Sequence, residues 1–236
     1  MDLSSLLDRN QVEASAPCRI DVGGTVDIRS FYYPLRDLAP CTFNIAVALR
    51  TTVQVSAFEQ GRVTVTSRGF EPAEYGFAEM PFDHPMGFMF AIAAYFGVSG
   101  VHIDIQSSSP PKSALGGSSA AGVALIAALG KVREGTGAKA LTRRQTALLA
   151  HALEESVAGV PCGLQDQLAA AYGGVNAWHW PREIESPPFR RARVIGTRGH
   201  RRLDQQILLA YCGVPHVSKD ITSQWVGQFL SGHYRS

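Results

Sequence analysis

The chain has 236 residues, 45% of them hydrophobic and 18% charged, with a formal net charge of +2. This is an ordinary globular composition, long enough to bury one large core or two small ones, and it excludes a polyelectrolyte. Basic residues are scattered, which argues against a nucleic-acid partner; the one local excess, RRARVIGTRGHRR from Arg190 to Arg202, reads as a solvated loop and strand flank.

In chain order, Cys18 to Val22 alternates and ends at Gly23-Gly24, which predicts a strand entering a tight loop. Phe43 to Phe58 is rich in β-branched residues, and Arg62 to Ser67 alternates after the short Glu59-Gln60-Gly61 break; together they predict a hairpin. Met86 to Phe96 has helical spacing and stops before Gly97. Val101, Ile103 and Ile105 share one face of a half-buried strand over Val101 to Ser107, with His102, Asp104 and Gln106 on the other. A helix follows over Ser118 to Val132. Another runs over Thr142 to Val157, where Thr142 and Gln145 have capping-box spacing. GLQDQLAAAYGG predicts a short helix closed by Gly173-Gly174. Strands at Val175 to Trp180 and Gln206 to Tyr211, and a last helix at about Ser218 to Leu230, complete an α+β pattern with little βαβ alternation.

Cys18, Cys41, Cys162 and Cys212 fit no metal or redox spacing and read as reduced thiols. The N-terminal MDLSSLLDRNQVEAS lacks a positive flank ahead of a long apolar run, and no stretch of 18 apolar residues appears. The expected location is the cytoplasm, with no membrane partner; oligomeric state is not legible.

The segment PPKSALGGSSAAGVAL, Pro110 to Leu125, puts a lysine, small residues and two serines at a helix entrance. Helix starts leave N–H groups unpaired and carry positive partial charge, so an anion such as phosphate is a natural partner. Small residues at Ala114, Gly116 and Gly117 allow close approach. Ser118 and Ser119 supply hydroxyls for phosphate or Mg²⁺, and Lys112 supplies charge. The plainer alternative is a simple cap in which Ser118 closes a buried helix. Neither GxxxxGK[ST] nor GxGxxG is present.

The order of residues in PPKSALGGSSAA resembles the ATP loop of the GHMP kinases, whose usual form is Pro-x-Gly-Ser-Gly-Leu-Gly-Ser-Ser-Ala. Lys112 and Ala114 stand at two of its glycines and Gly117 at a usual serine. Downstream, GVPCGLQDQ, Gly159 to Gln167, is similar to a galactokinase segment, and its continuation into AAAYGGVN to the bacterial heptose 7-phosphate kinases. Upstream, APCRIDVGGTVDI resembles the start of both groups, with Cys18 at a usual glycine and Val26 between Thr25 and Asp27.

The resemblance implies the following. The fold is α+β, a GHMP-kinase-like N-terminal domain (ribosomal protein S5 domain 2-like) over residues 1–183. Residues 184–236 are the beginning of a ferredoxin-like second domain. The family's third, glycine-rich motif is missing, so the chain is expected to be a shortened member or a piece of a longer protein. The implied activity is ATP-dependent transfer of phosphate to a sugar hydroxyl, the anomeric one, of a hexose or heptose (phosphate). Asp166 and Arg19 are the implied catalytic residues. The loop of Lys112, Ala114, Leu115, Gly116, Gly117, Ser118, Ser119 and Ala120 holds ATP. Asp27, Gly163 and Gln165 hold the sugar. Mg²⁺ falls to Ser118 or Ser119 with Glu154, and Glu155 is the fallback. A non-catalytic nucleotide- or sugar-binding module, or a kinase of another GHMP branch, is the alternative.

Overall fold

Val, Ile and Thr recur through the 17 residues of Cys41–Ala57 and favour an extended chain. That strand is the axis of the fold. The computed structural model describes residues 7, 11–22, 24–181, 183, 187–214 and 218–233; Gly23, Glu185 and Ser186 lie outside them. The strands are β1 (Val12–Val22), β2 (Cys41–Ala57), β3 (Arg62–Ser67), β4 (Ala73–Gly76), β5 (Val101–Ser107), β6 (Val175–His179) and β7 (Arg190–Ile195). The helices are α1 (Arg29–Tyr32), α2 (Gly87–Phe96), α3 (Gly117–Gly135), α4 (Arg143–Ala158), α5 (Gln165–Tyr172), α6 (Thr197–Asp204) and α7 (Ser218–Leu230).

The strands form one mixed sheet in the order β4-β3-β5-β2-β6-β7. β2 pairs along one side with β1, and its other side is shared between β5, at Thr51 to Ala57, and β6, at Cys41 to Ile45. Val53, Val55, Val63, Val65, Val101, Ile103 and Ile105 are buried on one sheet face, with Phe90, Ile92, Leu125, Ile126 and Leu129 of α2 and α3. A second apolar cluster of Tyr32, Leu164, Leu168, Trp178, Trp180 and Phe189 packs around α5 and β6. The α4 start is the expected capping box: Gln145 N–H donates to Thr142 Oγ1 at 3.2 Å and Thr142 N–H to Gln145 Oε1 at 3.0 Å.

Three expectations are corrected. The hairpin between β2 and β3 does not form, because β5 lies between them. It runs antiparallel to β2 and parallel to β3. Phe58 N–H donates to Gly100 O at 2.9 Å and Gly100 N–H to Arg62 O at 2.8 Å, so the residue before β5 sits between the two strand ends. This insertion lets the apolar row of β5 pack beside those of both neighbours. Gln206 to Tyr211 is not a strand; β7 already occupies the sheet edge beside β6, and Leu208 is 92% exposed. The arginine-rich segment is β7 followed by α6, not a loop. The four cysteines are free thiols, and among the described residues no helix is long and apolar enough to cross a membrane.

Candidate active site

Pairing of β1 with β2 slips between Pro17 and Arg19, so that Pro17 faces Arg50 while Arg19 faces Ala46. Such irregularities re-aim side chains, and the residue placed here is Arg19. Its backbone N–H donates to Leu115 O at 2.9 Å and its Nη1 to Ala114 O at 2.5 Å. One arginine therefore holds two consecutive carbonyls of the loop ahead of α3.

That loop is strained. Lys112 and Ala114 have φ of 55° and 60°, and Gly116 follows at 72°. Left-handed backbone at a residue with a Cβ costs about 1–3 kcal/mol and persists where surrounding contacts demand it. The two residues are those standing at glycines of the resembling pattern, so the loop keeps the glycine conformation without the glycines. The simple-cap alternative is not what forms. The N-cap of α3 is Gly116, with no side-chain cap, and Ser118 lies exposed within the first turn. Among the described residues the start of this 19-residue helix thus has no side-chain cap, which suits an anion.

Ser119 is the buried one of the pair. It is 5% exposed and its Oγ donates to Glu154 Oε2 at 2.8 Å. Gln167 Nε2 donates to the same oxygen at 2.7 Å. Burial pushes the Glu154 pKa up, against these hydrogen bonds, which pull it down. The fallback Glu155 is engaged elsewhere. It accepts the Cys162 N–H at 3.1 Å, while His151 Nε2 meets the Cys162 carbonyl at 3.0 Å. Two side chains one turn apart on α4 thereby clamp the corner leading to α5. Among the described residues no group of three or more His, Cys, Asp or Glu could hold a metal. A hydroxyl and a carboxylate nonetheless fit Mg²⁺, which needs only one or two protein oxygens beside phosphates and water.

Asp166, in the first turn of α5, receives Arg19 in a fork: Nε to Oδ1 at 2.8 Å and Nη2 to Oδ2 at 2.9 Å. Burial works against the Arg19 charge, but Asp166, then Asp21 and Asp27, outweigh it and raise its pKa. The Asp166 side chain keeps 24% exposure. A Cβ on Gly116 would lie 3.3 Å from Asp166 Oδ2, so this carboxylate stands directly against the entrance of α3.

Asp27 is 2% exposed. Its Oδ2 accepts the Gln165 N–H at 3.0 Å and its Oδ1 lies 3.4 Å from Gln165 Nε2, which also donates to Asp21 Oδ2 at 3.2 Å. Asn44 Nδ2 donates to Gln165 O at 3.2 Å. Gly163 touches Asp27 so closely that a Cβ there would be 2.0 Å from Oδ2. Asp27, Gly163 and Gln165 are therefore brought together as one corner.

Burial pushes the Asp27 pKa up to about 7, and also raises Asp21 and Glu154. At these groups the folded chain then holds protons that the unfolded chain releases, so the stability they contribute is fullest below about pH 4 and is lost as pH rises through about 7. Thermal midpoints should fall over that window. Asp27→Asn, which keeps an acceptor for Gln165 N–H but cannot ionise, should flatten the decline; an unchanged slope would count against it.

Sequence reasoning missed Gln167, Asp21, Asn44 and His151. The two glutamines flanking Asp166 were visible as GLQDQ, but their partners lie far away in sequence. A cavity of about 580 Å³, lined by Thr52, Arg68, Asp104, Gln106, Ser107 and Ser108, adjoins the stem of the loop, where Gly69 packs against Pro111.

Residues 84–174 match the GHMP kinases N terminal domain family. No curated protein matches the chain. The chain is similar to the solved structure of a D-glycero-D-manno-heptose 1-phosphate kinase from Bacteriodes thetaiotaomicron, with a TM-score of 0.61 and 19% identity over 79% of this chain and 61% of that one. It is similar to a Lactococcus lactis galactokinase complexed with galactose (TM-score 0.58, 18% identity, 82% of this chain and 52% of that one). It is also similar to a Methanococcus jannaschii mevalonate kinase (TM-score 0.58, 14% identity, 79% of this chain and 56% of that one). The chain thus spans about three fifths or less of the length of these proteins, and at such identities the likeness is one of fold.

Proposed function

We propose, from the match of residues 84–174 to the GHMP kinases N terminal domain family, that the chain is an ATP-dependent sugar kinase of the cytoplasm. It transfers phosphate to a hydroxyl, the anomeric one, of a hexose, a heptose or their phosphates. The observation that carries this reading is the Arg19–Asp166 fork standing against Gly116, at the uncapped start of α3. Phosphoryl transfer asks a protein chiefly for positioning and electrostatic stabilisation. Here an anion site and a partly exposed carboxylate with its own cation adjoin.

Lys112 and the segment Ala114 to Ala120 receive the phosphates, and the cavity at the stem of the loop receives the nucleoside. Ser119 and Glu154, with Ser118 at the mouth, hold Mg²⁺, which when bound neutralises charge on the phosphates. Asp166 orients the sugar hydroxyl and takes its proton; Arg19 fixes that carboxylate and faces the charge building on the transferred group. The buried corner of Asp27, Gly163 and Gln165 sets the floor of the sugar site.

Mg-ATP should protect the chain against thermal unfolding; a ligand at a hundred times its Kd stabilises by about 2.7 kcal/mol. Ser118→Ala with Ser119→Ala should remove most of that protection. A wild-type chain whose melting ignores Mg-ATP sinks the nucleotide reading. Transfer or hydrolysis of ATP by the chain separates an enzyme from a binding module.

A further inference from the structure

Resting on the nucleotide and cation reading above, we infer that Gln167 is a positioning residue for the divalent cation. Its Nε2 donates to Glu154 Oε2 at 2.7 Å and lies 3.3 Å from Ser119 Oγ, while Ser119 Oγ–H donates to that same carboxylate oxygen at 2.8 Å. A single amide thus touches both protein oxygens that a cation would use.

Burial makes this arrangement informative. Gln167 is 2% exposed, and its other polar atom, Oε1, is buried with no hydrogen-bond partner among the described residues. An orphaned buried acceptor costs about 1–3 kcal/mol, so a purely structural role is a poor account of a glutamine here. The amide orientation is set by its neighbours, since two oxygens facing each other at Glu154 would repel. The nitrogen faces the carboxylate and the oxygen is left over.

Glu154 has no cationic partner among the described residues; Arg19 is committed to Asp166. Neutral donors hold the carboxylate in a fixed geometry while leaving its charge uncompensated. A divalent cation supplies the missing charge. Magnesium keeps several of its waters, and each water brings hydrogens that need acceptors. The free Oε1 of Gln167 is such an acceptor, buried beside the two ligands. Groups of this kind around a metal are worth about 10–100-fold in affinity. Gln167 also follows Asp166 directly on α5, so the residue steadying the cation and the one facing the sugar share a rigid helical turn.

The test measures binding of Mn²⁺ to the full chain in the presence of a non-hydrolysable ATP analogue, and binding of the analogue alone in EDTA. Gln167→Met keeps bulk and removes both polar atoms. The expected result is Mn²⁺ affinity weakened about 10–100-fold, with metal-free analogue affinity unchanged. Equal losses in both measurements mean a structural role and overturn the inference, as does an unchanged Mn²⁺ affinity. A wild-type chain that binds neither probe overturns the kinase reading and this inference with it. Where the variant does not fold, the wild-type side-chain amide signal of Gln167 decides: Mn²⁺ with the analogue should broaden it beyond detection, and a signal that persists overturns the assignment.

Discussion

Asp166→Asn should lower turnover by about a hundredfold or more, the range that a positioned acid–base group contributes, while Mg-ATP still protects the fold. The substitution looks conservative and is not. Both oxygens of Asp166 accept N–H groups from Arg19, at 2.8 and 2.9 Å. An asparagine offers one acceptor and turns an NH₂ toward a guanidinium that can only donate. On the proposed reading the change therefore removes the group that would face the sugar hydroxyl and also disturbs the guanidinium that would stand beside the transferred phosphate. Arg19→Ala should do comparable harm from the other side, releasing Asp166 and the Ala114 carbonyl together. Arg19→Lys should not rescue it, since an ammonium cannot make the fork. Because the pair acts as a unit, the double variant should be scarcely worse than either single one. Steady-state rates with an accepted sugar check this; a turnover unchanged in Asp166→Asn removes the residue from the chemistry.

The elements legible in the sequence were those specified locally. The capping box at Thr142, the Ala-rich run behind the serine pair and the glycine-closed helix at Gln165 each carry their signal within a few residues, and each forms. The failures are non-local. Nothing between Ala57 and Arg62 announces that β5, some forty residues on, will lie between β2 and β3; only the match of three apolar rows does so. The apolar run at Gln206 looked like a strand because hydropathy does not report that β7 had taken the available edge. The site divides in the same way. Arg19, Asp166 and Ser119 fall within motif-bearing stretches, Glu154 lies on α4 between two of them, and the fold joins Arg19 to Asp166 and Ser119 to Glu154. Which of the two serines is buried, and what the flanking glutamines touch, depends on the phase of two helices meeting in space: Ser119 is buried against Glu154, while Ser118, which also reaches that carboxylate, stays exposed. Glu155, chemically equal to Glu154, is withdrawn from the site by a one-residue rotation that points it at the Cys162 N–H.

Gly163→Ala is expected to be the most damaging single methyl addition at the site. A Cβ there would meet Asp27 Oδ2 at 2.0 Å, the carboxyl carbon at 2.5 Å and Oδ1 at 2.8 Å. Asp27 cannot yield easily, because it is 2% exposed and its oxygens are held by Gln165. The contact can be relieved only by moving the carboxyl off the Gln165 N–H or by displacing the chain at residue 163. Overpacking of this kind costs about 1–3 kcal/mol, and in a domain of this size each kcal/mol lowers the melting temperature by roughly 2–4 °C. The site should suffer more than the fold. Residue 163 precedes α5 by two positions, so a shift there carries Asp166 away from Gly116 and the start of α3, and misplacement by an ångström costs about a hundredfold in rate. Asp27→Ala supplies the control. With the carboxyl gone the methyl has room, and Gly163→Ala should then cost far less than in the wild-type background. Thermal unfolding of the four proteins of this cycle measures the coupling. Equal costs in both backgrounds would mean that the clash is not with Asp27, and that the corner beneath α5 is held in some other way.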